Sequence, residues 1–150
     1  MTALRTLAER TDAVTKALEA NEHMWLATAD SSGRPQLIAV ATLWDGTDLV
    51  VATRVETKTA RNLADSGQAK LSHGTPDDVI LIDARLESSV PASSAPDDLA
   101  RRFEQANGWN PREEGDDWGF YRLRPRRIQA YRGYGELEGR DVMKDGRWLA

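Results

Sequence analysis

Thr53, Arg54, Thr57, Lys58, Thr59 and Arg61 crowd into one short stretch of VVATRVETKTARNLADSG, Val50 to Gly67, and all six side chains can grip an anion. The stretch reads as an apolar strand running into a short helix over Thr57 to Ser66, stopped by Gly67. The first turn of a helix leaves backbone N–H groups unpaired and carries the positive end of the helix dipole. With two hydroxyls and three cations beside it, such a turn predicts a cradle for a phosphate. The same residues also suit a capped surface helix with solvated cations, and on spacing alone both readings stand.

Other chemistries lack their residues. There is no cysteine, so thiol nucleophiles, disulfides and thiolate metal sites are excluded. His23 and His73 are the only histidines, isolated from each other, and no metal site is expected. No GxSxG, GxGxxG or GxxxxGK[ST] occurs, which removes the signatures of a serine hydrolase, a Rossmann site and a P-loop. Carboxylates are plentiful but scattered. If the chain is an enzyme, a bound cofactor carries the reactivity.

The net charge of −4 argues against nucleic acid as a partner, because phosphate neutralisation needs a positive face; the RLRPRR cluster at Arg122 to Arg127 reads as a solvated strand edge. No apolar run approaches the ~18 residues of a membrane span. The start MTALRTLAERTD lacks the apolar block of a signal peptide, so a cytoplasmic location is expected and no membrane partner.

The elements that position the cluster follow from periodicity. At 150 residues the chain is expected to be one domain, 1–150, with one core. Leu4, Leu7, Val14 and Leu18 mark an amphipathic first helix, with Thr2 as cap and Asn21 as stop. HMWLATAD, QLIAVATLW and DLVVATR follow as strands, the last two joined by a turn at Asp45-Gly46. After the short helix come QAKLSHG and the long strand DVILIDARLESSV, where Asp83, Arg85 and Glu87 share one face and Ala84 and Leu86 the other. SAPDDLARRFEQANG is a helix capped by Ser93 or Ser94 and stopped by Gly108, and the acidic loop NPREEGDD separates it from the tail. WGFYRLR, RRIQAYRGYGEL and DVMKDGRWLA complete the set, with a final hairpin turn at Lys144-Asp145-Gly146. Six or seven strands and three helices without βαβ alternation predict a mainly β, α+β fold, an antiparallel sheet closed into a small barrel.

Three segments in this order resemble the FMN-binding split β-barrel superfamily, which includes the pyridoxamine 5′-phosphate oxidases and the deazaflavin-dependent reductases. They are WLATADSSGRPQLIAVATLW, LVVATRVETKTARNLADSGQAKLS and RPRRIQAYRGYGELEGRDVMKDGRWL. The resemblance implies a homodimer with FMN, or alternatively a deazaflavin, in the interface. It implies that Thr53, Thr57, Lys58 and Thr59 surround the cofactor phosphate with Arg54 and Arg61 close by. Ile38, Ala39, Val40 and Ala41 would run beneath the ring, and Tyr131 and Arg140 would approach it, the arginine from the other subunit.

Three departures from the family pattern bear on function. Lys58-Thr59 stands in place of an adjacent Arg-Lys pair. Glu136-Leu137-Glu138 stands in place of the Arg-Leu-His that holds the substrate phosphate in the oxidases, and Ile38 replaces another arginine. Glu136 and Glu138 at a substrate site would repel a phosphorylated compound. The expectation is hydride transfer to or from a small, non-phosphorylated substrate. The alternative is a flavin-binding or redox-sensing module without turnover.

Overall fold

A computed structural model describes residues 3–150. Three α-helices and nine strands form among them: α1 (Leu7–Glu19), β1 (Met24–Ala29), β2 (Pro35–Val40), β3 (Thr42–Trp44), β4 (Leu49–Arg54), α2 (Lys58–Ser66), β5 (Gln68–Thr75), β6 (Asp78–Pro91), α3 (Asp97–Asn107), β7 (Trp118–Tyr131), β8 (Asp141–Lys144) and β9 (Arg147–Trp148). All strands join one antiparallel sheet in the order β2-β1-β5-β6-β7-β4-β3, with β8 on β7 and β9 on β8.

The sheet has to curl. β2 and β3 are its two ends, yet only Ala41 separates them in the chain. Together with the natural twist of strands, this covalent link rolls the sheet into a half-barrel. The concave side holds the larger apolar cluster, where Val14, Leu18, Leu26, Leu49, Val51, Leu63, Leu71, Ile82, Leu123 and Ile128 are fully buried. A smaller cluster lies on the outside of β3, β4 and β7, where α3 seats Phe103 edge-on against Phe120, ring centroids 5.2 Å apart.

Local signals place the helix ends. Thr6 caps α1 in a reciprocal box with Glu9, and the expected cap Thr2 lies outside the described residues. Asn21 does end the helix, with φ +52°, and its Oδ1 accepts a hydrogen bond from the Trp44 amide. Gly67 and Gly108 stop α2 and α3 in left-handed conformations. The expected cap of α3 is not used: Ser93 and Ser94 sit in a 3-10 turn, Pro96 takes the cap position, and Asp97 and Asp98 complement the dipole instead.

Nine strands replace the six or seven expected. QLIAVATLW breaks at Ala41 into β2 and β3, the tail supplies the hairpin β8–β9, and WGFYRLR joins RRIQAY in one strand through Pro125. That strand survives its proline because the β6–β7 register shifts there, leaving Arg126 as the extra residue. The Arg126 carbonyl accepts from the Gly146 amide of the β8–β9 turn instead. RLRPRR is not freely solvated either. Arg122 pairs with Asp45, Arg124 with Asp48 at 2.9 Å and Arg127 with Asp141 at 2.9 Å.

After β7 the chain makes a tight turn at Tyr134–Glu136 that holds the amino-terminal segment. Glu136 is 5 % exposed, and its carboxylate accepts from Arg5 Nη2 at 2.7 Å and from the amides of Arg5 and Arg132. The Arg5 guanidinium first, then these amides, hold its pKa down to about 2 against the penalty of burial.

The lowered pKa means the ionised carboxylate stabilises the fold above its ordinary value near 4.5, and this contribution is lost as pH falls from there to about 2. Glu136→Gln should therefore lower stability by about 2–3 kcal/mol at neutral pH, leaving Arg5 unpaired, and flatten the stability profile across that acid window in urea titrations. Glycine positions give a second test. A Cβ at Gly74 (φ +91°) would lie 2.2 Å from the Asp78 carbonyl oxygen, whereas one at Gly33 (φ +80°) meets nothing within 4 Å. Gly33→Ala should cost about 1–2 kcal/mol from its backbone conformation alone, and Gly74→Ala clearly more, in the same titrations.

Candidate functional site

The end of β4 and the start of α2 bring the candidate anion-binding residues together. β4 pairs with β7 along its whole length and with β3 over Leu49–Val51, so its carboxyl end is held by β7, where Arg54 faces Trp118 across the ladder. The turn Val55-Glu56-Thr57 then starts α2. Thr57 is the N-cap: its Oγ1 accepts from the Ala60 amide at 3.1 Å and donates to the Arg54 carbonyl at 2.9 Å. The hydroxyl expected to donate to an anion is thus engaged as a cap. With Ala60 capped and the Arg61 amide bonded to the Thr57 carbonyl, the amides of Lys58 and Thr59 are left pointing out of the helix end.

Thr53 and Thr59 are buried at this junction, while Arg54, Lys58 and Arg61 are exposed. Among the described residues none of these three cations has a carboxylate within ion-pair distance, in contrast to the arginines of RLRPRR. Lys58 and Arg61 line a cleft of about 460 Å³ between α2 and the β1–β2 turn, with Asn62 and Asp65 on the helix side and Asp30, Arg34, Pro35 and Gln36 opposite. Asn62 fixes its floor by donating from Nδ2 to Thr28 Oγ1 at 3.1 Å, a buried bond that ties α2 to β1. Arg34 is held by Asp30 at 2.8 Å, and this pair lowers the pKa of the Asp30 carboxyl.

β2 forms one wall. Its ladder runs to β1 alone, so the other edge keeps backbone groups free for a ligand. Ile38 is half-buried against the core, Ala39 is exposed, Val40 is buried and Ala41 is half-buried at the strand break. α2 packs across β1 and β2, which places this strand beside the helix.

The carboxyl-terminal candidates do not join the candidate cluster at the start of α2. Tyr131 ends β7 at the opposite end from Trp118 and Arg54. Arg140 is turned inward, with Nη1 donating to the Leu137 carbonyl at 2.7 Å and Nε to the Gln129 side-chain oxygen at 2.9 Å. Glu136 is not a free carboxylate but the buried partner of Arg5, whereas Glu138 is exposed in the following turn. Trp109 and Trp118 pack edge-on 4.8 Å apart, and Trp109 donates to Glu114. His73 lies 2.9 Å from Glu22. Among the described residues no group of three or more His, Asp or Glu side chains is placed to hold a metal ion, and no helix is long and apolar enough to cross a membrane.

Residue type singled out the cations but not their surroundings. Arg34, Gln36 and Asn62 complete the cleft, and only Asn62, one residue past Arg61 on the helix, sat within the segment that drew attention. Arg34 and Gln36 arrive through the β1–β2 pairing, which no local signal reports.

The sequence model of the pyridoxamine 5′-phosphate oxidase family matches residues 11–131. No curated protein sequence matches the chain. Among solved structures, an F420 reductase superposes with a TM-score of 0.64 at 21 % identity over 75 % of this chain and 93 % of its own. A pyridoxamine 5′-phosphate oxidase-related, FMN-binding protein of Nostoc punctiforme gives 0.58 at 15 % identity over 85 % and 87 %. HutZ, the heme storage protein of Vibrio cholerae, gives 0.60 at 16 % identity over 92 % and 99 %. Identities this low speak for the fold, and the fold agrees with the family match that runs from α1 to the end of β7. The chain belongs to the pyridoxamine 5′-phosphate oxidase family.

Proposed function

We propose that this protein is a flavin-dependent oxidoreductase that holds the phosphate of FMN, or alternatively of a deazaflavin, at the amino-terminal end of α2. The observation that carries the reading is the pair of outward amides at Lys58 and Thr59, with Lys58 and Arg61 lining the cleft beside α2 and Arg54 at the end of β4, none of the three ion-paired among the described residues. Such a site suits a dianionic phosphate, because open amides and cations both favour negative charge. The fit differs in one respect from the hydroxyl-rich cradle expected, since Thr57 acts through the helix cap. The bound ring would supply hydride transfer. The chain's part is to bind the phosphate, set the ring against the free edge of β2 at Ile38 to Ala41, and exclude water.

The same reading assigns a homodimer. On the outer face of β1 and β2, Trp25 is 53 % and Leu37 59 % exposed, and register places Ala39 opposite Trp25 and Ala27 opposite Leu37. An apolar face of this kind suits a subunit interface. In a dimer, Tyr131, Glu138 and Arg140 of one subunit would complete the site of the other. The substrate is a small organic compound without a phosphate, because Glu136-Leu137-Glu138 offers no cation for one. Lys58-Thr59, one cation short of the family pair, favours a second reading, a flavin-binding module without turnover. The expected location is the cytoplasm.

Titration of the purified protein with FMN and, separately, with a deazaflavin, followed by ligand fluorescence, tests the cradle. Micromolar binding of one of them is expected, weakened at least about tenfold in Lys58→Ala/Arg61→Ala, since each charge-assisted bond contributes about 1.5–3 kcal/mol. Absence of binding by either cofactor would sink the proposal. Turnover of the loaded protein with a chemical reductant then separates the oxidoreductase from the binding module.

A further inference from the structure

One face of α2 lines the cleft from end to end, since Lys58, Arg61, Asn62 and Asp65 recur at helical spacing. Charge along this face is graded. Lys58 and Arg61 bring cations to the amino-terminal half of the helix, beside the open amides, and Asp65 brings an acid to the last turn. Arg61 and Asp65 stand one turn apart without pairing, unlike Asp12 and Lys16 at the same spacing on α1. Across the cleft, Asp30 is already committed to Arg34 and to the amides of Ser32 and Arg34.

Between the charged ends the floor is built of carboxamides. Asn62 is only 6 % exposed, and its Nδ2 is spent on Thr28 Oγ1. Its Oδ1 has no partner among the described residues and yet is not sealed off, so it opens into the cleft that Asn62 lines. Gln36 stands opposite Thr28 in the β1–β2 ladder, half-buried, and lines the facing wall with its side chain equally free among the described residues. Of the lining residues only Pro35 is apolar, so a greasy body has nothing to rest on. A nearly buried acceptor facing such a cleft calls for a donor inside it.

We propose that this cleft receives a phosphorylated polyol, its phosphate at the start of α2 and its hydroxyls against Asn62 and Gln36, which rests on the start of α2 holding a phosphate but not on a flavin being attached to it. The anion belongs at the Lys58 end, because Asp65 would repel a second one at the other. Hydroxyls suit the rest, since each can donate to the Asn62 oxygen and accept from the Gln36 amide. A cleft of about 460 Å³ is in the range of small-ligand sites. The polyol is either the chain that joins the cofactor phosphate to a ring further along β2, at Ile38 to Ala41, or a free sugar phosphate.

Thermal unfolding of the full chain in ribitol 5-phosphate against pentyl phosphate, equal in charge and chain length, tests the receptor. The polyol phosphate should raise the Tm further, corresponding to a Kd at least about fivefold lower, since a neutral hydrogen bond is worth a factor of about 2–12. In Asn62→Leu, of similar volume, the two esters should act alike. Gln36→Leu, at a half-buried position without side-chain partners, should narrow the difference without the loss of the Thr28 bond. Lys58→Ala should weaken both esters and keep their ratio. Titration with FMN and a deazaflavin assigns the source: a flavin that binds and displaces ribitol 5-phosphate makes the polyol the cofactor's, whereas binding of the polyol phosphate with neither flavin leaves the receptor standing for a free sugar phosphate and removes the cofactor reading. Equal shifts by the two esters in the wild type, no shift by either, or a preference that Asn62→Leu and Gln36→Leu both retain would overturn the proposal and leave Asn62 a hydrated packing residue.

Discussion

A single residue, Ala41, connects the two end strands of the sheet, and the rest of the architecture follows from that short link. Strands at opposite ends of a seven-strand path can be consecutive in the chain only if the sheet rolls until its ends meet. Rolling creates the concave side that Val14 and Leu18 of α1 close, and it brings the β1–β2 hairpin over α2. It also leaves the outer edge of β2 without a ladder partner, so the curvature that builds the core also opens a polar backbone edge beside α2.

Charge is distributed unevenly over this frame. The arginines of β7 are paired with Asp45, Asp48 and Asp141, which lie on the β3–β4 turn and β8. The arginines are partly exposed while Asp48 is buried, and these pairs fix which turn lies against which strand. The cations of α2 are different. Arg54, Lys58 and Arg61 are exposed and, among the described residues, form no ion pair, in a chain that has more acids than bases. Solvated cations cost nothing to keep, so their clustering beside two open amides, rather than their exposure, is what favours an anion.

The two halves of the expected site also behave differently. The cationic cluster at the start of α2 is built from residues adjacent in sequence. Tyr131, Glu136 and Arg140 lie at the far end of β7, where Glu136 and Arg140 are drawn into contacts of their own. Glu136 illustrates how residue type alone misleads: an acid in a substrate-binding segment suggests charge presented to a ligand, yet its carboxylate is satisfied by an arginine 131 positions away and anchors the amino-terminal segment.

Much of the fold was legible in the sequence because helix caps and turns are settled by a few adjacent residues. Thr57 and Gly67 bound α2, Gly108 ends α3, Asp45-Gly46 and Asp145-Gly146 turn hairpins, and Asp83, Arg85 and Glu87 alternate outward on β6 as their spacing requires. The strand-to-helix junction that gathers Arg54, Lys58 and Arg61 was legible for the same reason, since strand end, cap and cations are neighbours in the chain. The break at Ala41, the bulge at Arg126, the burial of Arg5 with Glu136 and the arrival of Arg34 and Gln36 across from Lys58 were decided only in three dimensions. Each depends on how distant segments pair across a rolled sheet, and such pairing is set by register and packing between segments rather than by the conformational preferences of either one.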